Sequence, residues 1–378
     1  MKKFTRITFI FFVLIAVTYF FLPQYVQKAL IHLTPSIDDY KIFNNRTIKA
    51  DVAEPWGIHK DYNSYNISNE DRAQMEALEP IAYLVIQNGK ILYEEYWDGY
   101  SETSLSNSFS AAKSVVSLLI GIALDEGHIK SLDQKVMDFI PEYNTPKNSV
   151  LSIRDVLTMS SGLNWDESYS SPFSLTTEAY YGSDLPRLIT SLVVVEEPGK
   201  KFNYLSGNTE VLAMVVQAAT GKSISDYASE KIWTKIGSEH DALWNLDSKD
   251  GMEKAYCCFN TNARDFARFG QLILNDGSWN SKQIVSEKYI KEATSPAKWL
   301  LGEDNKPLSY YGYQYWIINY NGQQLPYMRG ILGQYIIPIK DKNAVIVRLG
   351  HKRSTEYINH HPSDVYHYLD IAEKILKP

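Results

Sequence analysis

One long apolar run constrains the fold of this chain more than any other feature. Residues 115–124 read VVSLLIGIAL, which is apolar on almost every face of a helix. A helix that is apolar all round offers no face to solvent, so other elements must surround it. Gly127 follows the run at a position where helices commonly end. The sequence therefore predicts a central buried helix covered by the rest of the chain.

Strand-like segments lie near both ends of the chain, and two of the turns between them carry strong hairpin signals, Asn88-Gly89 and Asn321-Gly322. The strand-like segments are residues 81–86, 91–96, 313–320, 327–330, 334–339 and 344–349. A last helix is predicted over residues 363–376. The predicted fold class is α+β: one antiparallel sheet built from both chain ends, flanked by helices, with a mainly helical lobe from residues 133–286.

The N-terminus has the pattern of a targeting segment. Lys2, Lys3 and Arg6 precede an apolar run over residues 7–22 without a clear cleavage site, which favours an uncleaved signal anchor over a cleaved signal peptide. We assign residues 1–26 to this segment, 27–77 to a tether and strap on the main domain, and 78–378 to that domain. The bulk of the chain is then expected to be exported, either membrane-anchored and facing the periplasm or cell exterior, or secreted after cleavage.

Charge and cysteine content exclude several classes of function. The net charge is −6 and no dense Lys/Arg patch occurs, which argues against nucleic acid as a partner. The two cysteines, Cys257 and Cys258, are adjacent, and adjacent cysteines do not easily adopt ordinary disulfide geometry. They predict neither a disulfide framework nor a zinc site, and no metal or organic cofactor is expected.

Ser110 and Lys113 stand at the head of the buried run. Residues three apart on a helix share one face, so the amine can lie beside the hydroxyl. A helix N-terminus also offers free N–H groups and partial positive charge, which can hold an oxyanion. This pattern favours a nucleophilic serine, and the alternative is a capping serine with a solvated lysine. A second pair, Ser295 and Lys298, has proline after the serine and no apolar helix behind it, so it is interpreted as a loop.

A second element, residues 198–208, reads PGKKFNYLSGN and leads from a turn into another predicted helix. Tyr204 in this element could face the start of the Ser110 helix. A neighbouring ammonium favours the phenolate, which can take the serine proton and pass it to a leaving group. The alternative for Tyr204 is a packed tyrosine with a satisfied hydroxyl.

A third element, residues 329–335, reads RGILGQY and enters a strand. Gly333 would let the backbone approach a substrate closely, and the N–H of Gln334 would join that of Ser110 in an oxyanion hole. The alternative is an ordinary glycine bend. Four aromatic residues between the first two elements could line a substrate pocket or simply pack in the core or on the surface: Trp165, Tyr169, Tyr180 and Tyr181.

Together the three elements resemble the serine β-lactamase-like superfamily, which includes class C β-lactamases, DD-peptidases, esterases and 6-aminohexanoate-dimer hydrolase. The likeness is greatest to the last of these branches and covers about residues 78–376. Three further strings support it: residues 157–163 (LTMSSGL), 263–270 (ARDFARFG) and 311–316 (YGYQYW). The resemblance implies Ser110 as nucleophile, Lys113 as its activator and Tyr204 as proton shuttle.

Two features depart from the family's pattern. In the β-lactamases and DD-peptidases the third box usually begins with Lys or His, whereas residues 331–333 read ILG. A cation there would hold a substrate carboxylate, so its absence argues against efficient β-lactam turnover. Residues 206–208 (SGN) also resemble the Ser-x-Asn box of related enzymes. We prefer Tyr204 as the shuttle, with Ser206 as a supporting hydrogen-bonding residue of the substrate pocket.

The resemblance thus implies a serine hydrolase that cleaves an ester or linear amide of a small molecule through a covalent acyl-serine. Two alternatives remain open at this point. The altered third box is compatible with a non-catalytic, membrane-tethered module that binds or senses a ligand. Within enzymes, a DD-peptidase-like cell-wall enzyme competes with an esterase or amidase.

Overall fold

A seven-stranded sheet forms the centre of the structure, a computed structural model that describes residues 18–377. The strands in chain order are β1 (Asn45–Ile48), β2 (Gly57–Ile58), β3 (Pro80–Gln87), β4 (Lys90–Tyr96), β5 (Ser106–Asn107), β6 (Ala242–Asn245), β7 (Phe259–Thr261), β8 (Ser278–Trp279), β9 (Lys282–Gln283), β10 (Trp316–Tyr320), β11 (Gln323–Gly330), β12 (Gln334–Ile339), β13 (Ala344–Gly350), β14 (Tyr357–Ile358) and β15 (His361–Pro362).

The central sheet has the order β10-β11-β12-β13-β3-β4-β2, so both ends of the chain contribute to it, as predicted. Its neighbouring strands are antiparallel except that the short β2 runs parallel to β4. Asn88 and Gly89 have φ of 53° and 69°, and Asn321 and Gly322 have φ of 50° and 80°. Two successive left-handed residues match the twist of a tight hairpin, which explains why these dipeptides join β3 to β4 and β10 to β11.

Helices cover both faces of this sheet. In chain order the α-helices include α1 (Gln24–His32), α2 (Asn69–Glu76), α3 (Ala112–Asp125), α4 (Ile153–Leu157), α5 (Leu175–Tyr181), α6 (Leu185–Thr190), α7 (Ser206–Thr220), α8 (Ile224–Ala228), α9 (Ala263–Leu274), α10 (Glu287–Ala293) and α11 (Ser363–Ile375). Alternate residues of β3 enter separate cores: Leu84 and Ile86 join the core that contains α9, and Tyr83 and Val85 join the core that contains α11. This alternation follows from the period of two in a strand. The predicted α+β architecture is confirmed.

The predicted buried helix is α3, whose residues 112–123 are all buried. It packs against α7, and a Cβ on its Gly121 would lie 2.5 Å from the ring of Tyr289, so only glycine allows α10 to approach this closely. A short 3₁₀ turn, Phe109–Ala111, precedes the helix. Ser110 therefore lies in a turn that leads directly into this buried helix.

The middle of the chain is less helical than expected, because β6 and β7 form a four-stranded sheet with β1 and β5. Residues 27–77 contribute β1 to this sheet and β2 to the central one, and they bury Ile37 and Ile48 completely. Most of the predicted signal segment lies outside the described residues. Within residues 18–377, none of the helices has the length and apolar character needed to cross a bilayer.

Candidate active site

Lys113 is the centre of a hydrogen-bonded group at the start of α3. Its Nζ lies 3.0 Å from Ser110 Oγ, 3.1 Å from Ser206 Oγ and 2.8 Å from the backbone oxygen of Tyr256. The lysine is only 1% exposed. Three acceptors match the three protons of an ammonium, so the amine is fully satisfied inside the protein. The structure thus brings together Ser110 and Lys113, as the spacing predicts.

The turn that carries Ser110 is held by the backbone on both sides. Phe109 has φ of 43° and its N–H donates to Asn107 Oδ1 at 2.8 Å, while the N–H of Ser108 donates to Phe259 O at 2.8 Å. The end of β11 lies directly against this turn, because a Cβ on Gly330 would come within 2.1 Å of Ser108 O. Glycine at 330 is therefore required for the strand to approach the nucleophile.

Tyr204 lies in the same place. The Lys113 Nζ is 5.1 Å from the centre of its ring, and the ring packs against Trp316 at 5.4 Å and Tyr311 at 6.1 Å. Tyr204 and Ser110 both line one cavity. The serine, the lysine and the tyrosine predicted to act together are thus gathered at one site.

Ser206 connects Lys113 to a carboxylate that the sequence reasoning missed. The backbone N and the Oγ of Ser206 both donate to Glu167, at 2.6 Å and 2.7 Å. Ser206 begins α7, so the carboxylate also lies at the positive end of a helix. Tyr169 donates its hydroxyl to the same carboxylate. A glutamate in a polar loop has no sequence signature that could have identified this role.

We name Lys113, Ser206, Glu167 and the carbonyl of Tyr256 the lysine cluster. The loop that presents this carbonyl is held by Glu210 of α7, whose Oε1 accepts a hydrogen bond from Tyr256 N at 3.2 Å. Burial raises the pKa of the Glu210 carboxyl to about 8. The acceptor for Lys113 is thus positioned by a second buried side chain of α7, the helix that also supplies Ser206.

Cys257 and Cys258 follow Tyr256 directly and are joined by a disulfide, with Cα atoms 3.7 Å apart. The two cysteines thus do pair, although adjacent cysteines do not easily adopt ordinary disulfide geometry. Cys258 has φ of 70°, so the backbone at the disulfide is left-handed. The disulfide lies within the loop that presents the Tyr256 carbonyl to Lys113.

The cavity at Ser110 has a volume of about 430 Å³ and is walled by residues from several loops and strands. These are Ser110, Tyr169, Tyr204, Glu303, Trp316, Arg329, Gly330, Ile331, Arg353, Tyr357 and His360. Tyr169 therefore lines the cavity, as predicted. Ser206, which was also predicted for the substrate pocket, is not among the lining residues, and its Oγ instead accepts a hydrogen bond from Lys113.

Three of the aromatic residues predicted for the pocket lie elsewhere. Trp165 packs its indole against Gly207, and its Nε1 donates to Thr176 Oγ1 at 3.2 Å. Tyr180 donates its hydroxyl to Asp39 at 2.6 Å, and Tyr181 stacks on His32 at 5.8 Å. The tyrosines are covered by the N-terminal segment, which supplies partners that chain position alone does not reveal.

In the third element, the residues that meet Ser110 are not the ones predicted. Gly333 has φ of 87° and packs against the guanidinium of Arg348, where a Cβ would lie 1.9 Å from Nη1. Gln334 is fully buried, and its side-chain amide donates to Ile331 O and Gly350 O at 3.1 Å and 2.7 Å. Neither residue lines the cavity. The strand end that meets Ser110 is instead Gly330–Ile331, before the turn rather than after it.

Comparison with known proteins agrees with this geometry. The sequence pattern described as Beta-lactamase matches residues 70–362. The chain belongs to the beta-lactamase family. It is therefore a member of the serine β-lactamase-like superfamily that its three elements resemble.

Several characterised proteins and solved structures are similar to the chain. The 6-aminohexanoate-dimer hydrolase of Paenarthrobacter ureafaciens is 28% identical over 221 residues, which cover 56% of either chain. Teichoic acid D-alanine hydrolase of Staphylococcus aureus is 27% identical over 205 residues, 52% of this chain and 49% of that one. The chain thus matches about half the length of each. A Bacillus anthracis structure described as a "putative 6-aminohexanoate-dimer hydrolase" shares the fold, with a TM-score of 0.77, 24% identity and coverage of 90% and 93%.

Proposed function

We propose that this chain is a serine hydrolase that cleaves an ester or a linear amide through a covalent acyl-serine. The observation that carries the proposal is the contact between the buried Lys113 amine and the Ser110 hydroxyl at the wall of a cavity shared with Tyr204. A hydroxyl becomes an effective nucleophile when a base within hydrogen-bond reach takes its proton. The chain's own residues provide that base.

The lysine cluster suits the base role. When Lys113 is deprotonated, its two remaining protons can go to Ser206 Oγ and Tyr256 O, which leaves the lone pair directed at Ser110. Glu167 accepts the Ser206 hydroxyl proton in a hydrogen bond, so Ser206 Oγ keeps its lone pairs towards the lysine. The amine is thus oriented before any substrate arrives.

In the acylation half, Ser110 Oγ forms a bond to the substrate carbonyl carbon and its proton passes to Lys113. The carbonyl oxygen becomes an oxyanion, which the N–H of Ser110 and a backbone N–H of the Gly330–Ile331 edge would hold. The bond to the leaving oxygen or nitrogen then breaks, and Tyr204 delivers a proton to it, taking one from Lys113. In the second half a water molecule repeats the sequence on the acyl-serine and releases the acid.

The names of the relatives agree with either bond type, since they include a 6-aminohexanoate-dimer hydrolase and a teichoic acid D-alanine hydrolase. A panel of p-nitrophenyl esters, short linear amides and D-alanyl-D-alanine peptides tests the proposal. We expect turnover of an ester or amide by the wild-type protein. Turnover restricted to the peptides would favour a DD-peptidase-like enzyme, and turnover of none would favour the binding module.

We also propose that the chain is exported, with residues 1–26 as its signal segment and membrane contact. The support is the basic start and the apolar run of residues 7–22. Fractionation of cells that express the full chain tests it. We expect the protein in the membrane or the medium, and recovery entirely from the cytoplasm would contradict export.

A further inference from the structure

Arg329 brings a buried positive charge to the cavity of Ser110 without a protein carboxylate to balance it. The residue is 8% exposed and lies one position before Gly330, at the end of β11. Within residues 18–377, no Asp or Glu side chain forms an ion pair with its guanidinium. Burying a charge without a counter-ion costs free energy. A buried, unpaired cation at a cavity therefore indicates that the cavity binds an anionic ligand.

The contacts that Arg329 does make orient it rather than neutralise it. Nη1 donates to His360 O at 2.9 Å and to the Tyr327 hydroxyl at 3.4 Å. The guanidinium lies 3.2 Å from the ring centre of Trp316, which also lines the cavity. Stacking on an aromatic face and one anchored nitrogen hold the plane of the group. Its Nε and Nη2 have no hydrogen-bond acceptor in the part of the chain that the structure describes.

A second arginine lines the same cavity. Arg353 donates from Nη2 to the Tyr357 hydroxyl at 2.8 Å and, among the described residues, also has no carboxylate partner. The nearby acidic groups contact other residues: Glu303, which also lines the cavity, lies 3.4 Å from His360 Nδ1, and Glu167 accepts both hydrogen bonds from Ser206. We name Arg329, Arg353, Tyr357 and His360 the arginine wall.

We propose that Arg329, supported by Arg353, binds a carboxylate of the substrate while Ser110 attacks its ester or amide bond. A planar guanidinium with two free N–H directions matches a carboxylate in a paired geometry. This inference rests on the proposed hydrolase function and narrows it to substrates that carry an acid group.

Matched substrates test the inference. On the acyl side, the pair is the mono-p-nitrophenyl ester of glutaric acid and the p-nitrophenyl ester of pentanoic acid. On the leaving-group side, it is 4-acetoxybenzoate and phenyl acetate. For each pair we would measure the ratio of kcat/KM, charged over neutral. Arg329→Gln should lower this ratio by roughly 10–100-fold in one pair, the effect expected for losing a charged hydrogen bond. The pair affected identifies the side that carries the acid.

Lys352→Gln is the matched control, because it removes one positive charge from the neighbouring surface, where Lys352 pairs with Glu79 at 2.8 Å. It should leave both ratios unchanged. An Arg329→Gln variant with wild-type ratios in both pairs would overturn the inference, and so would an equal fall for Lys352→Gln, which would indicate only long-range charge.

A binding measurement separates this inference from the proposed function. In a Ser110→Ala background, calorimetry with glutarate should show binding that is lost when Arg329→Gln is added. If the wild-type protein hydrolyses nothing but this difference persists, the hydrolase proposal fails and the anion site stands. If hydrolysis occurs but glutarate binds both proteins equally, only the anion site fails.

Discussion

The two sides of the cavity differ in whether their polar groups find partners within the protein. In the lysine cluster, the amine of Lys113 has three acceptors and Ser206 has both a donor and an acceptor. In the arginine wall, Arg329 and Arg353 donate to neutral oxygens, and neither pairs with a carboxylate within residues 18–377. The first side is complete without a ligand and the second is not. We infer that the first carries the chemistry and the second carries selectivity.

The largest effect should come from Lys113→Met, which removes the base and keeps a side chain of similar length. Hydrolysis of charged and neutral esters alike should fall on the order of 10⁴-fold or more, the scale of losing a member of a catalytic set. Steady-state kinetics with both members of a substrate pair would measure it. A fall confined to the charged ester would contradict the division between the two sides.

Lys254→Met provides a control for that variant, because Lys254 is also fully buried but its amine contacts Ala179 O at 3.3 Å and the Phe43 ring at 4.8 Å rather than Ser110. Burial lowers the pKa of Lys254 to about 8, so its charge is already weakly held. This variant should keep most of the wild-type turnover. If Lys254→Met lost as much activity as Lys113→Met, the effect of Lys113→Met would be explained by the loss of a buried lysine that the fold requires rather than by the loss of a base.

Tyr204→Phe should have the next largest effect. It keeps the ring packed on Trp316 and removes the hydroxyl that shuttles the proton. Removal of a general acid–base group typically costs about 10²–10⁴ in rate, and the loss should appear in kcat for charged and neutral substrates equally. Pre-steady-state and steady-state rates would measure it, and an unimpaired variant would remove Tyr204 from the mechanism.

Glu167→Gln should have a smaller effect, because it acts on Lys113 only through Ser206. The variant keeps one oxygen as an acceptor but loses the charge that both Ser206 donors meet. Hydrogen bonds to a charged group contribute about 1.5–3 kcal/mol, so we expect kcat to fall roughly 10–100-fold. The charged-to-neutral ratio should stay at its wild-type value, and a changed ratio would place Glu167 on the selectivity side.

Glu210→Gln should change the free energy of unfolding rather than the rate of hydrolysis. The change should appear only at pH values above about 4.5. The folded protein keeps the Glu210 proton up to a pH of about 8, whereas the unfolded chain loses it near its ordinary pKa of 4.5. The unfolded state therefore binds fewer protons in this window, and wild-type stability falls as pH rises, by up to about 1.4 kcal/mol per pH unit. Glutamine does not titrate, but it can still accept from Tyr256 N.

Urea unfolding of both proteins at pH 5, 6.5 and 8 would measure this. The stability of Glu210→Gln relative to the wild type should rise steadily with pH. A pH-independent difference would show that Glu210 is already ionised in the folded state. The lowered pKa of Lys254 changes stability only from pH 8 to about 10.5, outside this window.

Much of the fold and the centre of the site were predictable because they depend on local pattern. Residues 115–124 could only be a buried helix, and Asn88-Gly89 and Asn321-Gly322 could hardly be other than hairpin turns. The serine and lysine share one helix face, so their meeting needs no tertiary information. The four-stranded sheet was missed because its strands of two to four residues are too short to show a period.

The rest of the site depends on contacts between distant segments. Glu167 meets Ser206 across 39 positions, and Tyr180 meets Asp39 across 141, so neither pairing leaves a mark in the local sequence. The sequence predicts Gln334 at the oxyanion hole, whereas the strand end at Ser110 is Gly330–Ile331. The glycines alone do not show on which side of the turn between the two strands the contact lies. Arg329 was visible in the sequence, but its lack of a carboxylate partner is a property of the folded protein.

The central claim is that Ser110 is a nucleophile made reactive by the lysine cluster. Intact-mass analysis after treatment with a fluorophosphonate probe tests it most directly. We predict one adduct on the wild-type protein, mapped to Ser110 by peptide sequencing, and none on Ser110→Ala. Equal labelling of both proteins, or an adduct mapped to a different residue, would contradict the account.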